Sequence, residues 1–320
     1  MATTRQRGHG FGTGPVFLAS LSTILGAIMF LRFGYAVGNV GLVGALGVIL
    51  LGHLVTVPTA LAIAEIATNR RVEGGGEYFI VSRSFGESIG GAIGVSLYLS
   101  QAISVGFYLI AFAEAFRPLS GWFEGQLGMA FDPRMVSVPA TLLLLAATLS
   151  RGAALGVKAL WVVACVLFVS LVMFFLGSPD GTVPLSEAPL VGSLPDRDSF
   201  ILVFAICFPA FTGMTAGVGF SGDLKNPRRS IPLGILSATL VGMIVYVALV
   251  TKLAVSATPQ ALADGELIMA DIALWGPIIP IGLACATLSS ALGSVLVAPR
   301  TLQAMGGDRI IPAPGANEFV

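Results

Sequence analysis

Along the chain, long apolar stretches alternate with short polar breaks. Stretches near 20 residues recur, the length that crosses ~30 Å of hydrocarbon. The pattern predicts eight membrane segments, over 14–34, 40–66, 89–116, 135–150, 154–177, 199–221, 231–255 and 277–298. They are apolar all round, so length and hydropathy define them rather than a 3.6-residue period. The stretch 68–86 is too polar to span. Its Gly74-Gly75-Gly76 run predicts a flexible hinge, followed by a short amphipathic helix at the interface or under the bundle. The expected fold class is all-α, a polytopic membrane helical bundle.

Composition supports this and excludes the soluble classes. Hydrophobic residues make up 55 % of the 320, and only 11 % are charged. A water-soluble domain cannot bury so much apolar surface. Net charge is zero, and no basic stripe points to a nucleic-acid partner. Cys165, Cys207 and Cys285 fall inside apolar segments without metal-ligand spacing, and read as small buried residues. No removable signal peptide is evident in the first 20 residues.

Charge also orients the spans. With eight crossings and the N-terminus inside, twelve of the seventeen Lys and Arg residues fall in inner segments. The other side is acidic, with Asp196, Asp198, Asp264, Glu266 and Asp271 among its residues. The expected organisation is a cytoplasmic tail at 1–13, spans one to five at 14–177, an outer loop at 178–198, spans six to eight at 199–298, and a cytoplasmic segment at 299–320. The expected location is the inner (plasma) membrane, multi-pass, N-terminus cytoplasmic.

Span six ends in FPAFTGMTAGVGFSGDL (208–224), with one proline and four glycines. Pro209 removes a backbone donor and clashes with the preceding turn. Lipid offers no hydrogen bonds, so unwound backbone belongs only where it lines a cavity or is buried in protein. Two half-helices meeting around 209–215 are expected. Span one carries a weaker counterpart, Ser20, Ser22, Thr23 and Gly26. Interrupted helices at matching positions of two halves point to a transporter's midplane site. Free amides at Gly26, Ala27 and Ile28, and at Gly213, Met214 and Thr215, suit an anion. Carbonyls near Ser22, Thr23 and Leu25, with the Thr212 hydroxyl, suit a cation. Close packing is the competing reading, since Gly213 and Gly217 are four apart. It is the favoured reading for span one taken alone. Span eight adds Thr287, Ser289 and Ser290, oxygen donors fit for sodium, although such hydroxyls also bond back to their own helix. Tyr108 in span three is a further mid-span polar group, with core packing as its alternative.

Five blocks then become recognisable: ILGAIMFLRFGYAVGNVG, IATNRRVEGGGEYFIVSRSFG, GGAIGVSLYLSQAISVGFYLIAFAEAF, FPAFTGMTAGVGFSGDLKNPRRSIPLG and ATLSSALGSVLVAPRTLQAMGGDRIIP. In this order they resemble the cation-chloride cotransporters of the amino acid–polyamine–organocation superfamily, from about residue 10 onward. The look is of the short bacterial and archaeal branch. The resemblance implies a leucine-transporter-like inverted repeat with spans one and six discontinuous. It implies potassium ligands at Thr23, Ile24, Tyr108, Pro209 and Thr212. Chloride would lie on the amides of Gly26, Ala27 and Ile28, and of Gly213, Met214 and Thr215. Sodium would take Ser22, Leu25, Ala286, Ser289 and Ser290. Arg32 and Glu114 would form an outer gate. Thr23 stands where the family usually has asparagine, which bears on potassium. The family fold has ten or more core spans and eight are predicted here, so the second repeat is expected to be incomplete, as in a truncated chain.

The leading expectation is secondary active symport of chloride with sodium, and with potassium as an open addition, by alternating access. The alternative is a sodium-coupled amino acid permease, with the substrate carboxylate on the same amides. An enzyme or channel is disfavoured: no phosphate-cradling motif is present, and mid-span ionisable groups are nearly limited to His53 and Glu65. No cofactor and no transition metal is expected. Expected partners are membrane lipid and small ions or an amino acid; a homodimer stays open.

Overall fold

The computed structural model describes residues 10–69, 75–151, 154–178 and 189–311. Each of the eight expected segments falls on a helix. The helices are α1 (Thr13–Ile24), α2 (Ala27–Asn69), α3 (Glu77–Phe85), α4 (Glu87–Glu114), α5 (Ser120–Leu127), α6 (Arg134–Arg151), α7 (Ala154–Leu176), α8 (Phe200–Cys207), α9 (Pro227–Ser256), α10 (Pro259–Asp264), α11 (Ile268–Ile272) and α12 (Ile278–Gly307). A 3₁₀ segment, Phe208–Asp223, continues α8. Among the described residues no strand forms; one isolated bridge joins Phe11 to Leu224. Among the described residues, five stretches are long and apolar enough to cross a membrane: Thr13–Asn69, Glu87–Gln126, Phe200–Asp223, Pro227–Ser256 and Ile278–Gly307. Two shorter apolar helices accompany them.

The first stretch holds two crossings. A straight α2 of 43 residues would measure about 65 Å, twice the hydrocarbon thickness. The Phe211 ring lies 6.1 Å from Phe33 and 5.0 Å from His53. On a straight helix those two residues would stand about 30 Å apart, so one ring could not reach both. The chain folds back at Gly41, where φ is 72° and ψ 178°. A side chain there would also strike the Val191 backbone. Only glycine takes that angle without strain.

Helix starts follow local chemistry. The Ser199 hydroxyl accepts the Leu202 amide at 3.3 Å and caps α8. Proline opens α9 and α10, where its missing N–H has no partner to lose. Gly75 (φ 102°) and Gly76 (φ 55°) make the turn into α3; Gly74 of the expected hinge lies outside the described residues. Two short helices, α10 and α11, were not expected in the polar connection before α12.

α9 packs against α1 and α2, and α12 against α4 and α7. The centre of the core is aromatic. Phe33 stacks on Tyr246 at 4.5 Å, and Phe211 meets Tyr246 edge-on at 5.2 Å. All three are fully or almost fully buried. Large apolar side chains such as Leu143, Leu149 and Ile201 stay exposed at the periphery, the surface that lipid covers. Cys207 is buried as expected, but Cys165 is exposed and Cys285 intermediate. An apolar segment does not say which of its faces looks outward.

The two ends differ in charge and in ties. At the basic end, Phe11 bonds both ways to the chain after the 3₁₀ segment: its amide donates to Asp223 at 2.8 Å and its carbonyl accepts from Lys225 at 2.9 Å. There too, Arg300 pairs with Asp223 at 3.0 Å. Asp308 accepts from Tyr78 and from Arg83, each at 2.7 Å. At the acidic end, Tyr35 donates to Asp198 at 2.5 Å, and the Asp198 amide donates to Asn39 at 2.9 Å.

Candidate functional site

Both expected interruptions fall where an α-helix ends, and in span one two residues are non-helical. α1 stops at Ile24, Leu25 and Gly26 are non-helical, and α2 begins at Ala27. The last carbonyls of α1 have no further turn to bond. Leu21 takes the Leu25 amide at 2.8 Å, and Ile24 takes the Tyr246 hydroxyl at 2.5 Å.

Span six leaves the α-helix where Pro209 predicts: α8 ends at Cys207. From Phe208 to Asp223 it is a continuous 3₁₀ coil, far longer than the three or four residues usual for that form. Gly213, Met214 and Thr215, the expected anion amides, lie in this segment. The glycines serve packing. A Cβ on Gly213 would come within 2.7 Å of the Ile24 nitrogen and the Thr23 carbonyl carbon. One on Gly217 would meet the Val16 carbonyl oxygen at 2.6 Å. The bare backbone of span six thus lies directly on α1 at its break. Ser20 secures the contact by donating to the Met214 carbonyl at 2.6 Å.

Beside the break lies a cavity of about 270 Å³. It runs from Thr23, Tyr108, Thr212, Ser289 and Ser290 to Gly75, Glu77, Gly219 and Thr301 at the basic end. The buried Phe33–Phe211–Tyr246 cluster lies on the far side of the break. The lining is rich in hydroxyls, with Ser22, Ser100, Ser104, Thr215 and Ser294 among them.

The state of these hydroxyls decides what they can hold. Ser22 and Thr23 both donate to the Ala19 carbonyl, at 3.2 and 2.9 Å. Thr212 donates to the Pro209 carbonyl at 2.8 Å. With its one proton engaged, a hydroxyl oxygen presents only lone pairs, and that is a cation ligand's property. Ser290 is 5 % exposed and its Oγ has no hydrogen-bond partner. A buried, unpaired hydroxyl costs about 1–3 kcal/mol, so such an atom asks for a ligand. Thr287, by contrast, donates to Leu283 at 2.7 Å within its own helix and does not line the cavity.

The expected residues divide accordingly. Of the sodium set, Ser22, Ser289 and Ser290 meet at the cavity, while Leu25 and Ala286 are buried outside its lining. Of the potassium set, Thr23, Tyr108 and Thr212 line it. Ile24 and Pro209 do not, and their carbonyls already accept from Tyr246 and Thr212. Of the chloride set, Gly213 and Thr215 line it, but Gly26, Ala27, Ile28 and Met214 do not. The outer pair also differs. Glu114 bonds Arg117 at 2.5 Å, and Arg117 also holds Glu266. Arg32 is exposed and forms no ion pair among the described residues. Arg117 lies one turn from Glu114, so the local pair forms first.

Sequence reading missed Glu77, the one charged residue that lines the cavity among the described residues. Burial pushes its carboxyl pKa up, and a hydrogen bond from Thr215 offsets part of the rise. Its place at the head of a predicted interfacial helix gave no hint that it faced inward.

The sequence matches a known family of helical membrane proteins. The model of the amino acid permease family matches residues 15–318. The chain belongs to the amino acid permease family. The family is one of transporters and not of enzymes. The chain is also 34 % identical to solute carrier family 12 member 8 of Homo sapiens, over 95 % of this chain and 43 % of that protein. It is 30 % identical to member 9 of Danio rerio, over 95 % and 38 %, and 31 % identical to member 2 of Homo sapiens, over 93 % and 29 %. This likeness is the one read from the signature blocks. The chain spans less than half the length of these relatives.

Proposed function

We propose that this permease-family chain is the ion-binding part of a secondary active symporter that couples sodium to chloride. The observation that carries the reading is the buried, partnerless Ser290 Oγ beside Ser22 and Ser289. Three hydroxyl oxygens with the last turn of α1 make a hard, oxygen-only site, as a small alkali cation requires. Thr23, Tyr108 and Thr212 offer a second, looser cation position for potassium. Chloride would rest on the amides of Gly26, Ala27 and Ile28, at the positive end of α2. Its second position would be on the amides of Gly213, Met214 and Thr215. By the excess of basic residues the basic end is cytoplasmic, so the conformation faces inward.

A second reading, sodium-coupled amino acid transport, draws on the cavity volume, which exceeds what bare ions need, and on the family match. Uptake of labelled chloride and of labelled amino acids into proteoliposomes, each with and without a sodium gradient, separates the two. Uptake of neither under a sodium gradient would refute both.

A further inference from the structure

Glu77 is a carboxylate at the mouth of an otherwise uncharged cavity. It opens α3, where the helix dipole favours a negative charge, and that alone would explain an acidic residue. Two further observations go beyond this. Glu77 lines the cavity instead of facing solvent, and no basic side chain joins it in the lining among the described residues. The nearby basic groups are engaged elsewhere: Arg83 holds Asp308, and Arg300 holds Asp223 and the Gly219 carbonyl.

A polar rail leads to it. Ser290, Ser294 and Thr301 of α12 all line the cavity. Their spacing of four and seven residues places them on one helical face. The rail covers about 16 Å at 1.5 Å per residue. Its near end is the partnerless Ser290 Oγ. At its far end, a Cβ on Gly75 would stand 2.7 Å from the Ala304 side chain, which sets the turn before Glu77 beside the last turns of α12.

We propose that the Glu77 carboxylate, with the Thr215 hydroxyl, is a second cation subsite, through which a monovalent cation passes between the Ser290 position and the solution at the basic end. This rests on the cation site read above. A cation leaving Ser290 exchanges fixed oxygen ligands for water, and the Glu77 carboxylate, whose ionised form burial disfavours when it stands alone, is stabilised by a cation beside it. The same charge repels chloride, so the anion would use the route only while Glu77 is neutralised by a bound cation.

The test is equilibrium binding of radioactive sodium to the purified chain, comparing wild type with Glu77→Gln, Glu77→Asp and Ser290→Ala. Wild type is expected to bind in two phases. Glu77→Gln should weaken the second phase about tenfold, the scale of one carboxylate near a unit charge at a partly hydrated site. Glu77→Asp should keep it, and Ser290→Ala should remove only the first phase. A second phase of wild-type affinity in Glu77→Gln overturns the subsite, and so does equal loss in Glu77→Gln and Glu77→Asp, since charge would then not be the ligand. Loss of the second phase in Glu77→Gln, with no effect of Ser290→Ala, sinks the Ser290 site and leaves the subsite standing. Competition of the second phase by potassium marks a subsite for inorganic cations, and competition by methylammonium alone marks one for amines. Competition by neither overturns it.

Discussion

Tyr246→Phe tests the break in span one at its support. The Tyr246 side chain is fully buried, and its hydroxyl donates to the Ile24 carbonyl at 2.5 Å across 222 positions of sequence. Phenylalanine keeps the ring, so the contacts to Phe33 and Phe211 survive. What is lost is the partner of a carbonyl at the end of α1, where no next turn can replace it. A buried acceptor left without a partner costs about 1–3 kcal/mol. The expected destabilisation is therefore in that range, measured by titrating a denaturing detergent into mixed micelles and following helix content. Tyr108→Phe is the control. Tyr108 is half-buried and makes no hydrogen bond among the described residues, so its loss should cost less than about 0.5 kcal/mol. If Tyr246→Phe unfolds within 0.5 kcal/mol of wild type, or no earlier than Tyr108→Phe, the break is not held by this bond and the account of it fails.

Ser290→Ala removes a hydroxyl that bonds nothing in the protein, so stability should hold or rise slightly while the sodium dependence of uptake falls at least tenfold; retained sodium dependence refutes the cation assignment. Gly213→Val places side-chain atoms against the α1 backbone, and should abolish transport and lower stability by about 1–3 kcal/mol, as overpacking does; wild-type uptake would show that the two segments do not touch. Burial would raise the Asp308 pKa, but bonds from Arg83 and Tyr78 outweigh it and hold the carboxyl below the usual carboxylate range. A lowered pKa stabilises above the unfolded value, so the clamp between α3 and the end of α12 should persist at neutral pH and loosen as pH falls through the Asp308 pKa. Hydrogen exchange in α3 reads this, and exchange in Asp308→Asn should lack the acid transition.

The sequence by itself determined where the chain crosses the membrane, which end is basic, and which short stretches could break a helix. All three follow from terms that each segment carries alone: transfer free energy of about 20 apolar residues, loop charge, and backbone freedom at glycine. The serines of α12 were legible for the same reason, as hydroxyls in an apolar run need an explanation wherever they lie. Which candidate break is used was settled only in three dimensions. Pro209 and its glycines made span six look the more interrupted; there α8 gives way to a 3₁₀ segment whose bare backbone packs on α1. Span one, with one glycine in its middle, has two non-helical residues, and Tyr246, more than 200 residues away, takes the Ile24 carbonyl beside them. Glu77 likewise reads as a surface carboxylate until α3 folds its first residue into the cavity. Hydropathy records what a residue gains by leaving water. Which atoms then satisfy its polar groups depends on neighbours that only the tertiary fold supplies.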